Sequence, residues 1–275
     1  MQSINLFGTK ITPFFPKSHS VCRLSAPVEY GERLHVPRGK VRWKTEFPGY
    51  LENRKLYVDP KVIANYPNGW AHSANPLDEA GRIRSYGELT FNSEGYPMNP
   101  VGRTGFGPER GLLGHWGGNF AADPMITWVD PRGNSLKLLV IERKDTGKIA
   151  LPGGMDEYGH TVGGTLNKEL AEETGVKSLD MEKGSLIFCG YVDDPRNSDH
   201  AWMETVVVHR HVDHIMADSW SLEAGDDAVG VFAVTISNAF LDSMYSTHGK
   251  FVRLGLKLFK KNNPQFRLQV EKALV

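Results

Sequence analysis

"LPGGMDEYGHTVGGTLNKELAEETGV", residues 151–176, passes from a double-glycine turn through small and polar residues into a stretch with helical spacing and three glutamates. An α-helix advances about 100° per residue, so Glu169, Glu172 and Glu173, at i, i+3 and i+4, share one face. Like charges so placed cost a few tenths of a kcal/mol per pair. A divalent cation removes that repulsion, and Mg²⁺ in particular takes oxygen ligands and bridges carboxylates to phosphate oxygens. Lys168 and Lys177 screen the same charges, so the three glutamates taken alone also fit a solvated helix face. The preceding glycines favour the metal, since backbone without a Cβ lets other groups approach closely. Gly175 is placed to end the helix as its C-cap.

The rhythm on either side is that of a sheet. "MITWVDPRGNSLKLLVIERK", residues 125–144, is two β-rich runs around the turn Asp130-Pro131-Arg132-Gly133-Asn134. "KIALPGG" (148–154) is a short strand ended by glycines, and "GSLIFCGYVDD" (184–194), "AWMETVVVHRHV" (201–212) and "DAVGVFAVTI" (227–236) are further strands. "FVRLGLKLFKKNN" (251–263) is expected to close the chain as an amphipathic helix with its cations near the C-terminus. Hairpins beside strand-to-helix units imply an α/β domain, a mixed β-sheet with helices packed on it, over residues 121–275. Before it, proline, glycine and aromatics abound without sustained periodicity, which predicts an N-terminal arm (1–35) and a loop-rich lobe (36–120) with short strands. "RSYGELTF" (84–91) is the clearest strand candidate there.

Composition narrows the partners. Of 275 residues, 40% are hydrophobic, and 32 basic residues balance 32 acidic ones, so no global field points to nucleic acid. Two cysteines, Cys22 and Cys189, neither form a disulfide framework nor have zinc-site spacing, which favours a reducing compartment. No apolar run reaches the roughly 18–20 residues that span a bilayer, so no direct membrane contact is expected of this chain. The first 28 residues lack Asp and Glu but hold Lys10, Lys17, Arg23 and several serines, as a mitochondrial transit peptide does. Pro13, Pro16 and Pro27 interrupt any long helix there and equally suit an irregular arm.

The glutamate segment resembles the Nudix box, Gly-x5-Glu-x7-Arg-Glu-U-x-Glu-Glu-x-Gly-U, with U aliphatic. Laid on this chain the box starts at Gly154 and keeps Glu169, Leu170, Glu172, Glu173, Gly175 and Val176. His160 stands where the box has its first glutamate, and Lys168 where it has arginine. The resemblance implies the Nudix fold, a mixed sheet sandwiched between helices. It also implies Mg²⁺, or Mn²⁺, held chiefly by Glu169 and Glu173, with Glu172 assisting and a carbonyl near Gly154 adding a ligand. A His160–Lys168 pair cannot form the planar carboxylate–guanidinium fork, which bears on turnover rate more than on metal binding.

Substrate choice is written outside the box. "NPVGRTG" (99–105), "LLGHWGGNFAADPMIT" (112–127), "GYVDDPRNSDHAWMET" (190–205), "LEAGDD" (222–227) and "MYSTHGKF" (244–251) are similar to the ADP-ribose pyrophosphatase branch, shared with the C-terminal domain of melastatin-type ADP-ribose-gated cation channels. The likeness runs over roughly residues 36–260. It implies ADP-ribose as ligand, with Arg196 at a phosphate or base, Asp194 at ribose hydroxyls, Tyr245 and His248 in contact, and Trp116 and Asn119 shaping the pocket. Phe120 stands where the family usually has histidine. Asp226 and Asp227 are candidates for the general base or for ordering the attacking water, and ribose binding or helix capping are their alternatives. Without the resemblance, "DDPR" is a salt-bridged surface turn, Tyr245 and His248 a helix flank, Trp116 core packing, and His211 and His214 a strand end. The expected activity is Mg²⁺-dependent hydrolysis of ADP-ribose to AMP and ribose 5-phosphate. The rival is a nucleotide-binding regulatory domain joined to the rest of a channel polypeptide, for which "KVRWKTEF" (40–47) is a similar entry segment. The expected location is the cytoplasm, at the inner face of a membrane in the channel case, with the mitochondrial matrix as alternative.

Overall fold

The computed structural model describes residues 3–50, 57–66, 70–107, 109–156, 161–225 and 228–275. His160, Asp226 and Asp227, with Glu157, lie outside the described residues. The chain divides into two compact units. One holds residues 1–5, 10–120 and 189–205, and the other 6–9, 121–188 and 206–275.

The second unit is built on the predicted hairpin. β1 (Gly117–Asp130) and β2 (Ser135–Arg143) pair antiparallel with Asp130 opposite Ser135. Asp130 Oδ1 accepts the Arg132 N–H (3.0 Å), and Asn134 takes φ +45° in the turn, a conformation asparagine tolerates. With β3 (Ile149–Ala150), β4 (Gly154–Met155), β5 (Ser185–Tyr191), β6 (Ala201–His211) and β7 (Ala228–Thr235) they form a seven-stranded sheet. Its order is β3-β2-β1-β6-β5, with β4 on β1 and β7 on β2, and the chain passes between the two units within β1, β5 and β6. Met125, Ile126, Leu138, Leu139 and Val140 are fully buried, because unbroken apolar runs rather than alternating ones suit strands covered on both faces.

The predicted helix is α1 (Val162–Thr174). The Thr161 hydroxyl caps its first turn through the Gly164 N–H (3.1 Å), and Gly175 at φ +77° ends it. Its buried stripe is Leu166, Leu170, Glu173 and Thr174, so a glutamate lies in line with the leucines. α2 (His214–Asp218) and α3 (Asn238–Ser243) are short, and α4 (His248–Asn262) is the expected amphipathic helix. α4 presses Gly255 onto β1 so tightly that a Cβ would lie 2.7 Å from Met125 Sδ. It does not close the chain: a turn at Pro264–Phe266 leads into α5 (Arg267–Ala273), which buries Val270 and Ala273.

The first unit is loop-rich, as its composition predicts, but "RSYGELTF" is no strand. It makes isolated bridges at Arg84 (to Gly117) and Phe91 (to Pro97). The Ser85 hydroxyl and the Tyr86 N–H donate to the buried Glu204 carboxylate (2.5 and 2.7 Å), and the Gly87 N–H to Ser85 Oγ, so these groups are spent on side chains rather than a neighbouring strand. Buried polar groups do much of the holding. The Arg103 carbonyl can only accept, so His19 donates Nε2–H to it (2.9 Å). His19 Nδ1, neutral because burial lowers its pKa, then accepts the Tyr191 hydroxyl (2.9 Å). Asn197 donates to the same phenol oxygen (2.9 Å). The N-terminal arm from residue 10 onward belongs to this unit: Phe14 bridges Gly190, and Asp193 accepts the N–H groups of Ser20, Val21 and Cys22 at 2.6, 2.9 and 2.9 Å.

Candidate active site

In the second unit, β3 runs into Leu151-Pro152-Gly153-Gly154. The Ile149 carbonyl accepts the Tyr245 N–H (2.8 Å) and the Leu151 N–H donates to His248 Nδ1 (3.0 Å), so residues 245–248 clamp the strand that feeds the glycines. His248 therefore carries its neutral-state hydrogen on Nε2. Tyr245 packs on the cluster of Ile141, Ala150 and Ala228, with the Arg143 guanidinium 4.5 Å from its ring centroid.

Both glycines are required by what surrounds them. Gly153 sits at φ +149°, and a Cβ on it would lie 2.6 Å from Asp123 Oδ1 and 2.7 Å from the Ala122 carbonyl oxygen. Its N–H donates to Glu173 Oε2 at 2.7 Å. Gly154 pairs with Ala122, and a Cβ there would strike the Glu169 carboxylate. Thus α1 lays two of its glutamates against the backbone of the turn. The three differ in exposure: Glu173 is 5% exposed, Glu169 half-buried, and Glu172 exposed, with Lys168 Nζ 3.6 Å from it. Lys168, at the box's arginine position, thus pairs one turn along its own helix. Asp156 accepts the Thr165 hydroxyl (2.7 Å) and so braces the segment leading into α1.

The donor set is all oxygen, which suits Mg²⁺ or Mn²⁺ rather than a softer ion. Among the described residues no three Asp, Glu, His or Cys side chains converge as a ready cage. Mg²⁺ characteristically takes one or two carboxylates and fills its shell with water and substrate phosphate, so Glu169 and Glu173 beside a Cβ-free turn fit such an ion. The loop ending at Gly225 lies on the far end of α1: the Glu223 N–H donates to the Thr174 carbonyl (3.1 Å), and a Cβ on Gly225 would strike the Glu172 carbonyl oxygen. The two aspartates that follow Gly225 are outside the described residues.

Asp194, Arg196, Trp116 and Asn119 fall in the first unit. Asp194, 3% exposed, accepts the Arg196 N–H (2.8 Å) and takes both Nε (2.8 Å) and Nη2 (2.9 Å) of its guanidinium. The two therefore form one planar fork within a turn, which Tyr30 pins by donating its hydroxyl to the Arg196 carbonyl (2.7 Å). Trp116 is fully buried, with its Nε1–H on the Ser73 carbonyl (2.8 Å) and the Arg110 guanidinium 4.7 Å over its ring. Asn119, 1% exposed, accepts the His115 N–H (2.9 Å) and donates to the His115 carbonyl (2.8 Å). Phe120 has Tyr86 edge-on at 4.8 Å and Arg84 at 5.2 Å. His211 ends β6 and His214 opens α2.

Sequence reasoning passed over Asp123, 6% exposed beside Gly153, and Glu204, 0% exposed. Glu204 accepts the Trp202 Nε1–H (2.7 Å) as well as Ser85 and Tyr86, and burial raises its pKa. The signal was available: a single acid inside an otherwise apolar run is seldom buried without a task.

Comparison with known proteins agrees with this geometry. Residues 36–117 match the family profile described as "NUDT9-like, N-terminal domain", and residues 125–254 the "NUDIX domain". The chain is 36% identical over 258 residues to the putative nudix hydrolase 6 of Caenorhabditis elegans, covering 86% of this chain and 96% of the relative. It is 36% identical over 275 residues to the mitochondrial ADP-ribose pyrophosphatase of Rattus norvegicus, covering 86% and 77%. It is 35% identical over 262 residues to the transient receptor potential cation channel subfamily M member-like 2 of Nematostella vectensis, covering 81% of this chain and 16% of the channel. With its Cβ-free turn facing two helical glutamates and its likeness to nearly the whole of the nematode protein, the chain belongs to the Nudix hydrolase family.

Proposed function

We propose that this chain hydrolyses the diphosphate of ADP-ribose to AMP and ribose 5-phosphate, with Mg²⁺ or Mn²⁺ as its ion. The observation that carries the reading is the seating of Glu169 and Glu173 on the Gly153–Gly154 backbone. The rat relative, whose name states that activity, supports the substrate.

Glu169 and Glu173 would hold the ion, with the exposed Glu172 assisting. The chemistry a bound ion supplies there is neutralisation of the diphosphate and activation of water. Gly153 and Gly154 let phosphate oxygens come close to backbone, as no side chain stands in the way. Asp226 or Asp227 takes the proton of the attacking water as one P–O bond forms and the P–O bond to the leaving phosphate breaks. Tyr245, His248, Arg196 and Asp194 are assigned to the ligand's rings, phosphates and hydroxyls.

AMP release from ADP-ribose, followed by chromatography with and without Mg²⁺, tests this. Glu169→Gln is expected to lower turnover roughly a hundredfold or more, since it removes charge stabilisation at the reacting phosphate. Absence of AMP release by the wild type, or equal rates for both proteins, sinks the proposal.

The sea-anemone channel, similar over 81% of this chain, favours a second reading, in which the domain reports ADP-ribose to a channel while retaining hydrolysis. Among the described residues no helix is long and apolar enough to cross a membrane. The coding sequence flanking this chain distinguishes the two: membrane spans there support the channel. The cytoplasm is the proposed location, supported by the arm being built into the first unit through Phe14 and Asp193. The rat relative's name supports the mitochondrial alternative.

A further inference from the structure

The segment "KVRWKTEF" has no part in the site above, yet four of its backbone carbonyls are held by one side chain. Arg103, 8% exposed, donates through Nη1 to the carbonyls of Lys40, Arg42 and Thr45 (2.9, 2.8 and 3.0 Å) and through Nη2 to that of Trp43 (3.3 Å). Its guanidinium lies 5.0 Å from the Trp43 ring, and Trp43 Nε1–H donates to the Asn99 carbonyl (2.8 Å). Gly102, at φ +125°, comes so near Val41 that a Cβ would strike the Val41 carbonyl oxygen. One buried arginine and one glycine thus fix the loop from behind.

Beside the fixed loop is a cavity of about 220 Å³ lined by Pro16, Lys17, Arg42, Trp43, Pro100 and Gly102. At about 30 Å³ per water, that is room for roughly seven waters, enough for a phosphate group with a small organic body. No carboxylate lines it, whereas two cations do. Among the described residues neither the Lys17 ammonium nor the Arg42 guanidinium has a hydrogen-bond or ion-pair partner. Both cations are exposed and line the same cavity, so an anion in it meets two positive charges.

We infer that this cavity is a binding site for the phosphate monoester group, whether as inorganic phosphate or on a small sugar or nucleoside. Arg42 presents the planar fork that takes two phosphate oxygens, and Lys17 adds a point charge. The prolines and the Trp43 ring are stiff, apolar walls against which the organic part of an ester rests. The site shares no residue with the glutamate turn and does not depend on the diphosphatase reading.

The test is calorimetry and ³¹P line broadening on the full chain in EDTA, with inorganic phosphate, ribose 5-phosphate and AMP, and ribose as the uncharged control. Saturable binding that weakens with salt is expected, and the Lys17→Gln/Arg42→Gln double variant should lose at least about tenfold in affinity, as removing charged hydrogen-bond donors does. Both positions are exposed, so the variant is expected to melt with the wild type. Glu169→Gln should bind as the wild type does. Tighter binding of an ester than of phosphate identifies the ester as occupant, and equal binding identifies phosphate itself. No saturation up to about 10 mM, a limit weaker than any specific small-ligand site here would show, overturns the inference. So does unchanged affinity in the double variant, or loss of binding in Glu169→Gln.

Discussion

Replacing Glu173 by glutamine should move the stability of the metal-free and metal-loaded protein in different ways. Glu173 is 5% exposed and one turn from Glu169, and Cβ atoms so spaced are about 6 Å apart. Two unit charges at about 6 Å repel by about 0.7 kcal/mol in water and by about 3 kcal/mol at an effective dielectric of 20. Glutamine removes that repulsion but weakens the bond from the Gly153 N–H, a loss of about 1 kcal/mol. The relieved repulsion about equals the lost bond at the watery limit and exceeds it by up to about 2 kcal/mol at a dielectric of 20, so in EDTA the variant should melt level with the wild type or up to about 8 °C above it. In Mg²⁺ at a hundred times its dissociation constant, the wild type gains about 2.7 kcal/mol by linkage. At roughly 2–4 °C per kcal/mol for a chain of this size class, that raises its melting temperature by about 5–10 °C. The variant, with one of its two principal carboxylates gone, should gain little. Differential scanning fluorimetry in EDTA and across a Mg²⁺ series measures both quantities. Equal Mg²⁺-dependent gains in the two proteins would refute the assignment of Glu173 to the ion, and a collapse of the variant in EDTA would refute the charge-repulsion argument.

Gly153→Ala places a Cβ at φ +149°, 2.6 Å from Asp123 Oδ1, and should destabilise by about 1–3 kcal/mol from backbone strain alone; a melting temperature unchanged by circular dichroism would contradict that conformation. His209, which shares Thr127 Oγ1 (2.7 Å) with His211 (2.9 Å), is pushed down to about 3 by burial, and His211 to about 4. Because the folded values lie below the unfolded one, the unfolded chain binds more protons, so stability is full above about pH 6.5 and falls by up to about 1.4 kcal/mol per pH unit per histidine toward the folded values. His209→Gln should flatten that slope in denaturant melts between pH 4.5 and 7, and an unaltered slope would exclude the histidine as its source. Removing residues 1–28 deletes the Phe14 bridge and the N–H groups held by Asp193, and should lower the melting temperature of the remaining chain; equal stability would favour the transit-peptide reading.

The sheet and α1 were legible because each rested on a local rule that tertiary packing reinforced: a turn residue between apolar runs, a capping threonine, a glycine at the C-cap. "RSYGELTF" failed because β propensity was weighed without asking where its backbone groups would bond, and the acid that takes them, Glu204, stands 118 residues beyond Tyr86. The glutamates were legible as a set but not in their ranking. Angular spacing puts Glu172 and Glu173 on either side of Glu169, whereas only the placement of Leu166 and Leu170 shows which neighbour turns inward. The same ranking bears on the departure at Lys168. The family's arginine would pair with a glutamate earlier in the box, and here that position is histidine. Lys168 instead lies 3.6 Å from Glu172, the most exposed of the three, in the less favourable order with the cation N-terminal. Such a pair contributes only a few tenths of a kcal/mol and does not itself engage Glu169 or Glu173. A His160–Lys168 pair, whatever its contacts, cannot supply the planar carboxylate–guanidinium fork. Asp156, bonded to Thr165, is then the one described acid preceding α1 that ties that segment to the helix. Thr165→Val should therefore slow turnover while leaving Mg²⁺ affinity near the wild-type value. Loss of metal affinity instead would place Thr165 and Asp156 in support of the ion rather than of the turn.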